Sequence, residues 1–248
     1  MNILLVNDDG YKAEGINALD EVLTAHGHRV FMVAPETEQS GKSHSMTVMG
    51  CVRASEFRKD HYYLTGSPAD CIIYPIRSGL ISEPIDAVVS GINHGYNAST
   101  DITYSGTCGA ARQAAIYGIK AIAISADKNP EDGSYDFMPA AGFLAENLSR
   151  FLRYIKGDAF LNINIPYGFS GGYELADIGM IDYQDDISLR KEEDGNIIME
   201  VIGMKSARRT FSRKHRADFE VLSSGKASLS FIDIHPHVSY PHMESFDD

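Results

Sequence analysis

The chain has little cysteine, no surplus of cations and no long apolar run, and each shortage closes a class of function. Its three cysteines, Cys51, Cys71 and Cys108, are odd in number and widely spaced among 248 residues. They give neither a disulfide framework nor a zinc site, and they suit a reducing compartment. Lys and Arg number 22 against 34 Asp and Glu, a formal net charge of -12. Nucleic acid is therefore not expected as the main partner, and an anionic substrate needs a local cation. No apolar run approaches the roughly 20 residues of a membrane span. The start reads as a strand, without the basic n-region and apolar h-region of a signal peptide. The expectation is a cytoplasmic protein with no membrane partner, in which the sequons at Asn97 and Asn147 carry no meaning.

Several catalytic signatures are missing as well. Ser40-Gly41-Lys42-Ser43 echoes the end of a P-loop, but the upstream glycine that motif needs is Glu36. No G-x-S-x-G elbow supports serine hydrolase chemistry. The turn after the first strand lacks G-x-G-x-x-G, so a dinucleotide is not expected there. The pair Asp8-Asp9 also lacks the Asp-x-Asp spacing of aspartyl-phosphate phosphatases.

What is present begins at Asn2-Ile3-Leu4-Leu5-Val6-Asn7-Asp8-Asp9-Gly10. A short unbroken apolar run suits a strand buried on both faces of a parallel sheet. Neighbouring side chains on a strand point apart, so the two carboxylates share a target only past the strand end, where Gly10 lets the chain turn. Held within about 4 Å at an effective dielectric near 20, they repel by roughly 4 kcal/mol. A hard cation such as Mg2+ or Mn2+ removes that repulsion. The plain alternative is that Asp8 caps the next helix and Asp9 is a solvated turn residue.

Beyond Gly10, Ile16, Leu19, Val22 and Leu23 recur at helical spacing up to Gly27. Strands are predicted over Arg29–Ala34, Met46–Val52, Tyr62–Thr65, Asp86–Ser90, Ala121–Ser125 and Ala159–Ile165. Helices are predicted from Ser67 (N-cap, with Pro68 first) to about Leu80, over Thr107–Tyr117 and over Phe137–Tyr154. Strand and helix alternate, which predicts an α/β fold: a doubly wound, mostly parallel, Rossmann-like sheet. After about Tyr167 the segments shorten and gain charge, at Tyr183–Arg190, Ile197–Val201, Lys205–Arg216 and Ala227–Ile234. We expect one domain, 1–248, with a core over about 1–166 and C-terminal β-hairpins and an arm over about 167–248. The tail 244–248 is expected to be disordered.

Ligands of open α/β sheets bind outside the carboxyl ends of the strands. Four polar clusters follow predicted strands: Asp8-Asp9, Gln39-Ser40-Gly41, Asn93 and Ser125. Ser105-Gly106-Thr107 opens the small-residue helix, where backbone N–H groups favour an anion such as phosphate, or where Ser105 is an ordinary N-cap. His235, His237 and His242 read as surface residues rather than metal ligands. Lys205, Arg208, Arg209, Arg213, Lys214 and Arg216 read either as a solvated hairpin paired with acids or as a patch attracting phosphate.

Six motifs in order then carry a resemblance over most of the chain. They are Asn7-Asp8-Asp9-Gly10; Val33-Ala34-Pro35 with Ser40-Gly41; Gly66-Ser67-Pro68-Ala69-Asp70-Cys71; Ser90-Gly91-Ile92-Asn93-His94-Gly95 with Asn97; Tyr104-Ser105-Gly106-Thr107; and Asn162-Ile163-Asn164-Ile165-Pro166. The chain resembles the SurE-type (survival protein E) nucleotidases. The resemblance implies a metal-dependent phosphatase acting on nucleoside 5′- and 3′-monophosphates, with polyphosphate a further substrate of some members. It implies one divalent ion, Mg2+ or Mn2+, per subunit on Asp8, Asp9, Ser40 and Asn93, and phosphate contacts from Asn97, Ser105, Gly106 and Thr107. It implies a cytoplasmic homodimer or homotetramer built through the C-terminal arm. The sequence departs from the family at Thr100-Asp101, where an acidic pair is common, at His94, and through 183–216. In this reading Asp8 and Asp9 carry the chemistry as ligands, base or nucleophile. Two other readings compete: a non-catalytic nucleotide sensor using the same crevice, and an RNA-binding module using the basic run, which the net charge disfavours.

Overall fold

The computed structural model describes residues 1–192, 194–203, 205–211 and 214–235. His237, His242, Arg213 and the tail 244–248 lie outside them. The chain lays down β1 (Asn2–Val6), α1 (Glu14–Ala25), β2 (Arg29–Pro35), β3 (Ala54–Arg58), β4 (His61–Leu64), α2 (Asp70–Ser78), β5 (Ala87–His94), α3 (Asp101–Tyr104), α4 (Gly106–Ile116), β6 (Lys120–Ala126), α5 (Met138–Tyr154) and β7 (Ala159–Ile165). It continues with β8 (Tyr173–Leu175), β9 (Met180–Tyr183), β10 (Asp186–Lys191), β11 (Ile197–Gly203), β12 (Ser206–Arg209), α6 (Asp218–Ser223) and β13 (Ala227–Asp233).

Nine strands form one twisted sheet in the order β3-β4-β2-β1-β5-β6-β7-β13-β8. Its centre, from β4 through β7, is parallel, and β3 and β13 run antiparallel to their neighbours β4 and β7. The α/β expectation holds, with helices on both faces. Alternation along the central strands divides the core. Ile3 and Leu5 face α1 and α5, packing with Ile16, Leu19, Leu23, Leu144 and Leu148. Leu4 and Val6 face α2 and α4, packing with Ile72, Cys108 and Ala111. Each large aliphatic side chain so buried contributes about 1.5–3 kcal/mol. The alanines of α4 let that helix lie close to the sheet, which brings its first turn to the end of β1.

Three expectations fail, wholly or in part, for local reasons. Met46–Val52 is not a strand: Val48 and Met49 are 82% and 90% exposed. There Thr47 gives its N–H (2.9 Å) and hydroxyl (2.7 Å) to Asp70, and a segment tied to that carboxylate joins no ladder. The predicted helix start at Ser67 is met only in part: Ser67 and Asp70 cap each other, Ser67 N–H donating to Asp70 Oδ2 at 2.9 Å and Asp70 N–H to Ser67 Oγ at 3.2 Å, but the turn they close precedes the regular helix. The regular helix begins at Asp70 and ends at Ser78, short of Leu80. The region after Tyr167 does form hairpins, β10–β11 and β9–β12. However, β8 and β13 rejoin the central sheet, because Leu229 and Ala227 bury against the α5 side of the core. No helix among the described residues is long and apolar enough to cross a membrane.

Candidate active site

The site forms where β1 and β5 end beside the start of α4. Asn7 closes the turn after β1, its amide donating to Gly10 C=O at 2.9 Å and its Oδ1 accepting the Gly10 N–H at 3.2 Å. That brace turns Asp8 and Asp9 together past the strand. Asp8 does not cap α1, whose N-cap is Ala13 without a side-chain bond. The Asp8 side chain is buried and accepts the hydroxyl of Thr107. Thr107 Oγ1 also lies 3.3 Å from Asn93 Oδ1. Asn93 gives its amide hydrogens to His94 C=O and Gly95 C=O, at 3.3 and 2.9 Å, so its oxygen faces Asp8 and Thr107.

A kink in β5 aims Asn93. The register between β5 and β6 shifts between Ser90 and Asn93. Gly91 sits there at φ +138°, where an added Cβ would lie 2.2 Å from Ile124 O, so only glycine fits. Strand β5 thus runs on to His94 rather than ending at Ser90.

Burial pushes the Asp8 carboxyl up to about 6, against the lowering effect of the Thr107 hydrogen bond, and the Asp9 charge adds to the rise. Asp9 pairs through Oδ1 with His94 Nδ1 at 2.8 Å. That hydrogen bond holds the His94 imidazole above its usual value despite partial burial. The other oxygen of Asp9, Oδ2, is buried with no hydrogen-bond partner among the described residues. Leaving a buried carboxylate oxygen unpaired costs free energy, and the loss is recovered when a cation occupies the space. Two carboxylates and an amide oxygen form a hard donor set of the kind Mg2+ and Mn2+ take. Among the described residues no group of three or more His, Cys, Asp or Glu is set to hold a metal.

The other expected site residues fall in different places. Ser40 is exposed and gives its hydroxyl to Glu38 at 2.8 Å. Its loop is anchored to the site by Gln39 N–H, which donates to Asp8 C=O at 2.7 Å. Ser105 is the N-cap of α4, accepting the Cys108 N–H at 3.0 Å. Gly106 presses on the acid: a Cβ there would lie 2.8 Å from Asp8 Cβ. Asn97 is buried in an amide network, where its N–H donates to Asn164 Oδ1 at 2.8 Å and its side chain to Ser125 Oγ at 3.0 Å. Asn162 and Asn164 donate in turn to Asn97 C=O, at 2.7 and 3.2 Å. Sequence reasoning missed two partnerships, Asn7 as the brace and Thr107 as the bridge between Asp8 and Asn93. The Asx-turn habit of asparagine was the available signal for the first.

The basic run is mostly paired: Lys205 with Asp186, Arg209 with Asp182 and Arg216 with Glu174, at 2.6, 3.1 and 3.4 Å. His235 pairs with Asp158 at 3.1 Å on the surface.

Comparison with known proteins agrees with this architecture. Residues 3–185 match the family described as Survival protein SurE. A Clostridium botulinum protein named 5'-nucleotidase SurE is 37% identical over 213 residues, 82% of each chain. A Leptospira interrogans protein of the same name is 34% identical over 233 residues, 93% of this chain and 90% of that one. The SurE protein of Aquifex aeolicus, a crystal structure, superposes with a TM-score of 0.79 at 31% identity, covering 95% of this chain and 94% of that one. Fold, motif order and relatives converge, and the chain belongs to the Survival protein SurE family.

Proposed function

We propose that this chain is a 5′-nucleotidase, a divalent-metal-dependent phosphomonoesterase that cleaves nucleoside 5′-monophosphates, and 3′-monophosphates as well, to nucleoside and phosphate. Short polyphosphate is a further substrate in this reading. Enzyme class is supported by relatives named 5'-nucleotidase SurE. Metal dependence is supported by one observation above all, the buried Oδ2 of Asp9, without a hydrogen-bond partner among the described residues, beside the buried Asp8.

One Mg2+ or Mn2+ per subunit would be held by Asp8, Asp9 and Asn93, with Ser40 joining by movement of its exposed loop. Such an ion supplies Lewis acidity and orients the attacking water. The chain's own groups do the rest. Thr107 fixes Asp8 and Asn93 relative to each other. The first N–H groups of α4, at Gly106 and Thr107, point to the positive end of the helix, where phosphate oxygens bind and gain charge in the transition state. His94, hydrogen-bonded to Asp9, stands at the rim as a proton carrier for the leaving oxygen. Asn97 serves the phosphate by placing its segment through the amide network rather than by a free side chain. Cytoplasmic location belongs to the same proposal and draws on the three free cysteines.

The test is phosphate release from 5′-AMP, 3′-AMP and tripolyphosphate with Mg2+, with Mn2+ and with EDTA. Expected is turnover that EDTA removes and metal restores, and that Asp9→Asn lowers at least 100-fold. Full activity of Asp9→Asn would sink the metal assignment. Tight nucleotide binding without turnover in any metal would favour a sensor.

A further inference from the structure

The loop between β6 and α5 leaves the sheet beside the acid pair. Ala126, the last residue of β6, is in register with His94, and its C=O accepts the Gly95 N–H at 2.8 Å. The loop then folds back on itself. Asn129 N–H donates to Ser134 C=O at 2.7 Å, and the Ser134 N–H and hydroxyl both donate to Asp132 Oδ1, at 2.8 and 2.6 Å. Side-chain bonds of this kind hold a loop in shape without a core of its own. The returning limb delivers Tyr135 and Phe137, two positions apart. Phe137 is buried in the α5 side of the core and anchors the limb. Tyr135 is half-buried and stacks on it, with ring centroids 5.3 Å apart and planes within 4°.

Both rings meet His94. The imidazole is edge-to-face with each, at 4.8 Å and 84° from Tyr135 and at 5.0 Å and 85° from Phe137. Aromatic rings favour that arrangement. Asp9 is the one hydrogen-bond partner of the imidazole among the described residues, through Nδ1 and Oδ1 at 2.8 Å. The His94 side chain is 33% exposed, so without the two rings a single bond would hold it against rotation into solvent. With them the plane of the imidazole is set as well. The consequence falls on Asp9. Its Oδ1 is taken by His94, and its Oδ2 is the buried oxygen with no partner among the described residues. Rotation of the carboxylate would exchange the two oxygens, so whatever holds His94 decides which one is left for a ligand. Groups that orient a metal-binding side chain from behind typically set metal affinity by about 10- to 100-fold.

We infer, resting on the metal-dependent reading above, that Tyr135 and Phe137 are positioning residues. The stacked pair holds His94 on Asp9 Oδ1 and so keeps Asp9 Oδ2 turned to a divalent cation. Their effect passes through His94. The loop before α5 supplies no donor atom to the site and still sets its affinity.

Phe137 belongs to the core, so the test changes the half-buried Tyr135. Mn2+ binding to the full-length protein is measured by calorimetry for wild type, Tyr135→Ala, Tyr135→Phe, His94→Ala and the double variant His94→Ala/Tyr135→Ala. Tyr135→Ala and His94→Ala are each expected to weaken Mn2+ binding about 10-fold or more. Tyr135→Phe keeps the stacked ring and should bind as wild type does. Once His94 is gone, removing Tyr135 should cost nothing further, because two residues that act through one contact are not additive. Wild-type affinity in Tyr135→Ala overturns the inference, and so does a double variant whose loss is the product of the two single losses. If wild type binds no Mn2+, the metal reading fails instead, and the tautomer of His94 then decides the brace. Long-range 1H–15N correlation spectra of the metal-free protein, at alkaline pH where the ring is neutral, should show the proton on Nδ1 in wild type and a mixture in Tyr135→Ala. The same tautomer in both proteins, or a wild-type proton on Nε2, overturns it.

Discussion

Asp8 shows how one residue can be costly to the fold and central to a candidate site. Its carboxyl is raised to about 6 by burial, then by Asp9. A carboxyl whose folded value exceeds its unfolded one keeps its proton longer in the native state. Stability then falls as pH rises from about 4 to about 6 and stays lower above that. A rise from 3.8 to about 6 corresponds to about 3 kcal/mol. In EDTA, Asp8→Asn should therefore gain on wild type by about that amount between pH 4 and pH 7, read by denaturant unfolding. Added Mg2+ or Mn2+ should restore wild type and not the variant. Parallel pH curves for the two proteins would refute the assignment. Gly106 belongs to the same argument. Its Cβ would meet Asp8 Cβ at 2.8 Å and Asp8 Oδ2 at 2.9 Å, so Gly106→Ala must push the acid aside. Overpacking of this kind costs about 1–3 kcal/mol. Because misplacing a reacting group by about 1 Å can cost roughly 100-fold, kcat/KM for 5′-AMP should drop about 10- to 100-fold while circular dichroism is retained. The sequence made Asp8, Asp9 and Asn93 legible, since polar residues at the carboxyl ends of buried strands announce themselves. It could not show that Thr107 faces Asp8, because that contact joins residues 99 positions apart.

At the scale of elements, the sheet is built from runs that alternate between two cores, and these runs were readable. Strands β1, β2, β5, β6 and β7 are buried along nearly their whole length. Their apolar continuity leaves no competing period. Edge elements were not readable, because their placement depends on distant partners. Strand β3 is exposed throughout and owes its position to β4 and to one buried acid. Asp20 of α1 accepts from Arg58 of β3 and from His61 of β4, the latter at 3.3 Å. Burial alone would raise the Asp20 carboxyl, but the bonds from His61 and Arg58 bring it below its usual value. Its contribution is present above the unfolded carboxyl range near 4 and is lost as pH falls through the lower folded value. Asp20→Ala should cost about 1–3 kcal/mol at pH 7. Amide exchange in β3–β4 should quicken more than in β1 or β5. Uniform quickening across the sheet would mean that the three residues do not act as a local clamp.

At the scale of the whole molecule, one element has no cover. The strands of the β10–β11 hairpin pair only with each other among the described residues. Ile187, Leu189, Ile197, Met199, Val201 and Ile202 are each more than half exposed on it. An isolated two-stranded hairpin is marginal in water, and a cluster of large apolar side chains marks an interaction surface. A second copy of the chain is the simplest partner, since each copy brings the same unpaired apolar ribbon and two-fold pairing covers both at once. We therefore propose a homodimer or homotetramer held through this arm, in keeping with the resemblance drawn from the sequence. Replacing 186–203 by a short Gly-Ser turn should give a monomer by light scattering. The acid pair is on another element, so the monomer should keep its response to EDTA. If the protein already runs as a monomer at micromolar concentration, the hairpin needs a different partner. If the deletion leaves a dimer, the contact lies elsewhere, and the exposed ring of residues around Tyr154, Leu175 and Phe231 at the β8 edge becomes the next surface to alter.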